Sequence, residues 1–117
     1  FAIKTIYFDL NKFDIRPDAA LELSKILDVM LQNPTIKIDI RSHTDSRNTA
    51  IYNKKLSERR AVSTKEWLIQ NGIDASRLTA KGYGESQLVN KCADGVLCTE
   101  EGHQANRRSE FIIVSIN

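Results

Sequence analysis

The stretch IKIDIRSHTDSRNTAIYNKKLSERRA, Ile36 to Ala61, decides the fold. Its opening alternates Ile36, Ile38 and Ile40 with Lys37, Asp39 and Arg41. A period of two predicts a half-buried strand with one wet face. The strand runs into a polar loop, Ser42-His43-Thr44-Asp45, and the loop feeds a strongly helical run reaching about as far as Asn71, with Asn48 or Thr49 as its cap. Asn53 and Arg60 lie on that helix. Seven residues of helix turn through about 700°, so the two share a face to within roughly 20°. With Asp45 in the feeding loop, a carboxylate, an amide and a guanidinium line one edge. An ionised Asp only accepts hydrogen bonds and an Arg only donates them. Such an edge suits a small ligand that carries both an ammonium and a carboxylate.

Around this stretch the other elements follow from pattern. On the second helix Ile51, Val62 and Ile69 cluster, with Ala61 and Leu68 beside them, and predict the core-facing arc. Asn53 and Arg60 fall off that arc, on the side a ligand reaches; Leu56 and Trp67 share their side and point to a second contact with the fold. Gly72 closes the helix at a left-handed position. Upstream, Ile3 to Leu10 reads as a strand and Asn11 to Arg16 as a loop. Pro17 to about Gln32 is an amphipathic helix, with Pro17 at its first position, Asp18 in its first turn, and a stripe of Ala20, Leu23, Leu27, Met30 and Leu31. Asn33-Pro34 ends it. Downstream, Arg77 to Lys81 is a short strand, and a long polar excursion to Gln104 includes a helical turn at Glu100 to Ala105. Ser109 to Ile116 is nearly apolar and predicts a central strand buried on both faces. The order βαβαββ gives an α+β fold: a two-layer sandwich with a mixed sheet of about four strands and two main helices on one face.

Composition sets the outer bounds. At 117 residues the chain makes one domain, with 41% hydrophobic and 27% charged residues. Seventeen basic against fifteen acidic residues leave a net charge of +2, and no basic block occurs, which argues against nucleic acid as the main partner. No apolar run approaches the roughly 18 residues of a membrane span. The chain opens on Phe1 rather than Met and carries no charged-then-apolar leader, so it reads as part of a longer or processed protein. Cys92 and Cys98 do not have the spacing of redox or zinc motifs. A local disulfide closing a surface loop is the preferred reading and implies an oxidising compartment; two free thiols are the alternative.

The motifs together resemble the OmpA-like C-terminal domain, the peptidoglycan-associating module of outer-membrane proteins, lipoproteins and flagellar stator subunits. The resemblance spans almost the whole chain. It rests on IYFD near the start, SHTDSRNTAIYNKKLSERRA in the middle, NGIDASRLTAKGYGES after it and NRRSEF near the end. It implies residues 1–117 as a single peptidoglycan-binding domain, the C-terminal part of a longer membrane-anchored protein, in the periplasm and attached to the outer membrane. It implies a non-catalytic grip on the peptide stem of the cell wall, at meso-diaminopimelate, whose side chain ends in an ammonium and a carboxylate on one carbon. By resemblance Asp45 takes the ammonium and Arg60 the carboxylate, while Thr44 and Asn53 shape the same pocket. Arg107 matches a further contact, with either Arg107 or Arg108 facing inward, and Asp9 stands at the rim. Ser42 and Asn48 replace glycines of the family pattern, and the Cys92 to Cys98 insert is foreign to it.

Blander readings stand beside these. Asp45 and Arg60 also suit a structural ion pair. His43 between Ser42 and Asp45 more often fixes a loop than activates a nucleophile, because those neighbours are too close in sequence to be arranged as a triad. His43, His103 and the cysteines match no metal-ligand spacing, so no metal or cofactor is expected. A wall hydrolase and a self-association domain are the competing functions.

Overall fold

The computed structural model describes residues 3–115. Strand β1 covers Ile6–Tyr7, helix α1 Pro17–Gln32, strand β2 Lys37–Ser42 and helix α2 Ala50–Gln70. A short 3-10 turn at Ala75–Arg77 precedes β3, Leu78–Gly82; helix α3 is Glu100–Gln104 and strand β4 Arg108–Ser115. The sheet order is β1-β4-β2-β3, with β2 and β3 parallel and the other pairs antiparallel. This is the mixed α+β sandwich expected from the sequence. Residues of α1, α2 and the sheet share one core, around Phe8, Leu23, Met30, Ile38, Ile40 and Leu68.

Local chemistry sets the element ends. Thr49 caps α2, its hydroxyl accepting from the Tyr52 amide at 3.1 Å. Asn48 sits at φ 77° and Gly72 at φ 107°, so the loop before α2 and the turn after it both use left-handed backbone. Arg77 closes the end of α1, donating to the carbonyls of Met30, Asn33 and Ile36 at 2.8–3.0 Å. Cys92 and Cys98 form the preferred disulfide, with Cα atoms 5.8 Å apart.

Four expectations need correction. The first strand is two residues long rather than eight. After Phe8 the chain turns, with the Lys12 amide donating to the Asp9 carbonyl and Asn11 at φ 59°, so Asp9 and Lys12 leave the ladder. Second, β4 is central but not buried on both faces: Ile112, Ile113 and Val114 are 40%, 39% and 56% exposed. Both helices cover the same side of the sheet, and the other side stays open. Ile116 of the predicted strand lies outside the described residues.

The third correction concerns α2. Ile51 and Val62 are 73% and 55% exposed, while Asn53, Ser57, Arg60 and Thr64 are buried beside Leu56, Ala61 and Leu68. The helix turns its polar stripe inward because each buried polar group finds a partner. The Thr64 hydroxyl donates to the Arg60 carbonyl at 2.8 Å, and the Ser57 hydroxyl accepts from the Gly84 amide at 2.8 Å. A satisfied polar group costs little to bury, and isolated apolar residues on a surface are ordinary. On α1 the arc is rotated as well: Ala19, Leu23, Ile26 and Met30 are buried, and Leu31 is exposed.

Candidate functional site

Arg60 projects from the buried face of α2 and is itself fully buried. Its guanidinium donates to three main-chain carbonyls: Nε to Lys12 at 2.8 Å, Nη1 to His43 at 3.0 Å and Nη2 to Asp9 at 3.0 Å. The Phe8 ring lies 5.1 Å from it on one side. Burial, then the nearby Arg107, push its pKa down to about 10, so it stays charged at neutral pH. A guanidinium carries five N–H donors, and two of these remain without a partner among the described residues.

Asp45 sits in the loop after β2, also buried. One oxygen accepts the Arg47 amide at 3.0 Å; the other accepts Arg47 Nη2 at 2.9 Å and Arg107 Nη1 at 3.2 Å. Burial alone raises a carboxyl pKa, but the hydrogen bonds from Arg47 and Arg107 outweigh it and hold Asp45 below the ordinary carboxylate range. Asp45 is therefore ionised. Neither Asp45 nor Arg60 takes the other as its partner: each is held by other groups.

Thr44, Asp45, Asn53, Leu56, Arg60 and Arg107, with Leu10 and Asn11, line one tight cleft with about 160 Å³ of empty space, too narrow for a water-sized sphere. Asn53 serves the loop, its amide donating to the carbonyls of Asp45 and Arg47 and to Glu85. The Thr44 hydroxyl is buried in the cleft wall and has no hydrogen-bond partner among the described residues. Arg107 faces Asp45. Arg108 turns elsewhere, bonding Glu110 and the carbonyls of Asn106 and Gln87. Asp9 gives the site its carbonyl only; its side chain is exposed, 3.5 Å from Arg16, and does not line the cleft.

A larger groove, with about 1140 Å³ of empty space, lies on another side of α2, between Phe13, Val62 and Trp67. It is bigger but holds none of the expected ligand-binding residues and no buried charge. Size alone does not make a site, and the small cleft has the convergent polar groups. Ser42 and His43 form no nucleophile–base pair: Ser42 bonds Ser109, and His43 bonds Glu110 while stacking on Tyr83. Among the described residues no group of three acidic, His or Cys side chains is placed to hold a metal.

Sequence reasoning missed Arg47 and Glu100. Arg47 bridges Asp45 and Glu100, and Glu100 also meets Arg107 at 2.9 Å. A cation two residues after the loop acid was a legible signal for Arg47. Glu100 is 53 positions further on, and nothing local marks it.

The sequence model of the OmpA family matches residues 7–98. The chain belongs to the OmpA family. Outer membrane porin F of Pseudomonas fluorescens is 40% identical to this OmpA-family chain over 105 residues, 90% of the chain and 31% of that protein. The peptidoglycan-associated lipoprotein of Brucella melitensis is 35% identical over 100 residues, 86% of the chain and 59% of that protein. The crystal structure of the peptidoglycan-associated lipoprotein from Burkholderia pseudomallei superposes with a TM-score of 0.84 over 93% of this chain and 88% of that one. At 23% identity that likeness is one of fold. This OmpA-family chain spans about a third of the porin and under two thirds of the lipoprotein.

Proposed function

We propose that this domain anchors its parent protein to the cell wall by non-covalent binding of the peptidoglycan peptide stem, at a diaminopimelate-type residue. The observation that carries the reading is the cleft itself. An ionised Asp45, an unpartnered Thr44 hydroxyl and an Arg60 with two open donors meet there. Asp45 receives the ammonium, Arg60 and Thr44 the carboxylate, and Arg107 and Asn53 keep the Asp45 loop in place. Asp9 is not given a direct contact. The name of the Brucella lipoprotein supports peptidoglycan as the partner. The parent protein belongs in the periplasm, tied to the outer membrane through a segment upstream of this domain. The reading is not enzymatic, since the chemistry at the cleft is recognition by opposite charges.

Calorimetric titration with a stem tripeptide ending in meso-diaminopimelate tests it. The wild-type protein binds, and Asp45→Asn, which keeps size and removes charge, weakens binding at least about tenfold. Purified sacculi incubated with the protein release no fragments. A wild-type protein that ignores the peptide, or one that digests sacculi, overturns the proposal.

A further inference from the structure

The loop around the Cys92–Cys98 disulfide touches the site at three points. Its base is tied to Asn106, the fully buried neighbour of Arg107: the Asn106 side chain accepts the Val89 amide at 2.8 Å and donates to Asn90 at 2.9 Å. Further on, the Cys92 carbonyl accepts the hydroxyl of Ser46, the buried neighbour of Asp45. After Cys98, Glu100 takes Arg47 on one oxygen at 3.0 Å and Arg107 on the other at 2.9 Å. Those two arginines are the ones that hold Asp45. Asp45, Arg47, Glu100 and Arg107 thus close a ring of alternating charge. The disulfide joins the Ser46 contact to the Glu100 contact, and α3 packs so tightly on it that a Cβ on Gly102 would come within 2.9 Å of the Cys92 sulfur. Arg60 makes no hydrogen bond to this segment among the described residues: its carbonyl partners are Asp9, Lys12 and His43.

Resting on the function proposed above, the geometry points to the disulfide-closed segment from Cys92 to Glu100 as a positioning arm of the cleft. The arm fixes Asp45, and so serves the ammonium half of the ligand alone. Glu100 is exposed, and an exposed ion pair between long side chains is weak because holding it costs side-chain entropy. Covalent closure of the loop removes much of that ordering cost before ligand arrives.

Two peptides read the two halves of the site separately. One is the meso-diaminopimelate tripeptide; the other carries 2-aminopimelate in its place, which keeps the carboxylate and lacks the second ammonium. The oxidised protein prefers the first by about tenfold. Reduction, or the Cys92→Ser/Cys98→Ser pair, drops that preference to about twofold or less, leaves the second peptide's affinity within about twofold, and reoxidation restores the first. Glu100→Gln acts in the same direction, and Glu100→Asp restores part of the preference. In the ligand-free protein the Arg47 amide, bonded to Asp45, exchanges faster after reduction, while the His43 amide, bonded to the Arg108 carbonyl, does not. Equal preference in both redox states overturns the arm and leaves the anchoring function standing. If the oxidised protein ignores both peptides, the anchoring function fails, and Arg47 exchange unchanged by reduction overturns the arm independently.

Discussion

Arg60 and Thr44 are the two side chains whose removal separates structure from recognition. Arg60→Ala strands the carbonyls of Asp9, Lys12 and His43 and empties a fully buried site, so it costs about 3–5 kcal/mol of stability in urea unfolding. Loss of binding in that variant alone therefore proves little. Thr44→Val is the cleaner change. Its buried hydroxyl has no partner among the described residues, so the variant is at least as stable as wild type, while stem-peptide affinity falls about five- to tenfold. A stable Thr44→Val protein that binds as tightly as wild type would remove the hydroxyl from the site. A destabilised one would mean that the hydroxyl has a structural partner after all.

At the scale of elements, α2 carries the site and β3 holds α2 in place. Gly82 of β3 lies so close to the helix that a Cβ there would collide with the Glu58 amide nitrogen and the Ser57 hydroxyl. Gly82→Ala should lower stability by about 1–3 kcal/mol or more, seen as a drop in Tm, with Gly72→Ala a milder comparison that strains only a solvent-exposed turn. The same helix shows why the sequence was partly legible. The spacing of Asn53 and Arg60 on one face was readable from periodicity. Which face turned inward was not, because hydrophobicity favoured Ile51 and Val62. The buried face carries a repeat of polar positions, Asn53, Ser57, Arg60 and Thr64, at steps of three and four. Polar residues in that rhythm ordinarily mark a wet face, and this one is buried because each group finds a hydrogen-bond partner that no local pattern reveals. Element order and sheet type came from local pattern. The length of β1 did not, since Asp9 and Lys12 give their carbonyls to Arg60, a partner 51 and 48 positions away.

The whole molecule responds to acid through His43. It is buried, and burial, reinforced by Arg108 and opposed by Glu110, pushes its imidazole down to about 4. An unfolded histidine titrates at about 6.5. Between those values the unfolded chain holds a proton that the folded one does not, so stability falls as pH drops from about 6.5 towards about 4. The loss amounts to roughly 3 kcal/mol, and His43→Gln flattens that part of a denaturation series against pH. Asp45 adds to the loss at lower pH: its depressed pKa gives stability that is present above 3.8 and disappears as pH falls through the lower folded value. Wild-type stability that is level from pH 6.5 to 4 would refute the role given to His43.

Asp45 and Arg60 are each anchored by other groups rather than by one another, and one crystal tests most directly whether a zwitterion binds between them. Soaked with the diaminopimelate tripeptide, it should show the ligand's ammonium within about 3 Å of the Asp45 carboxylate and its carboxylate within about 3 Å of the Arg60 guanidinium. An empty cleft, or peptide density lying instead in the groove between Phe13 and Trp67, would contradict the account.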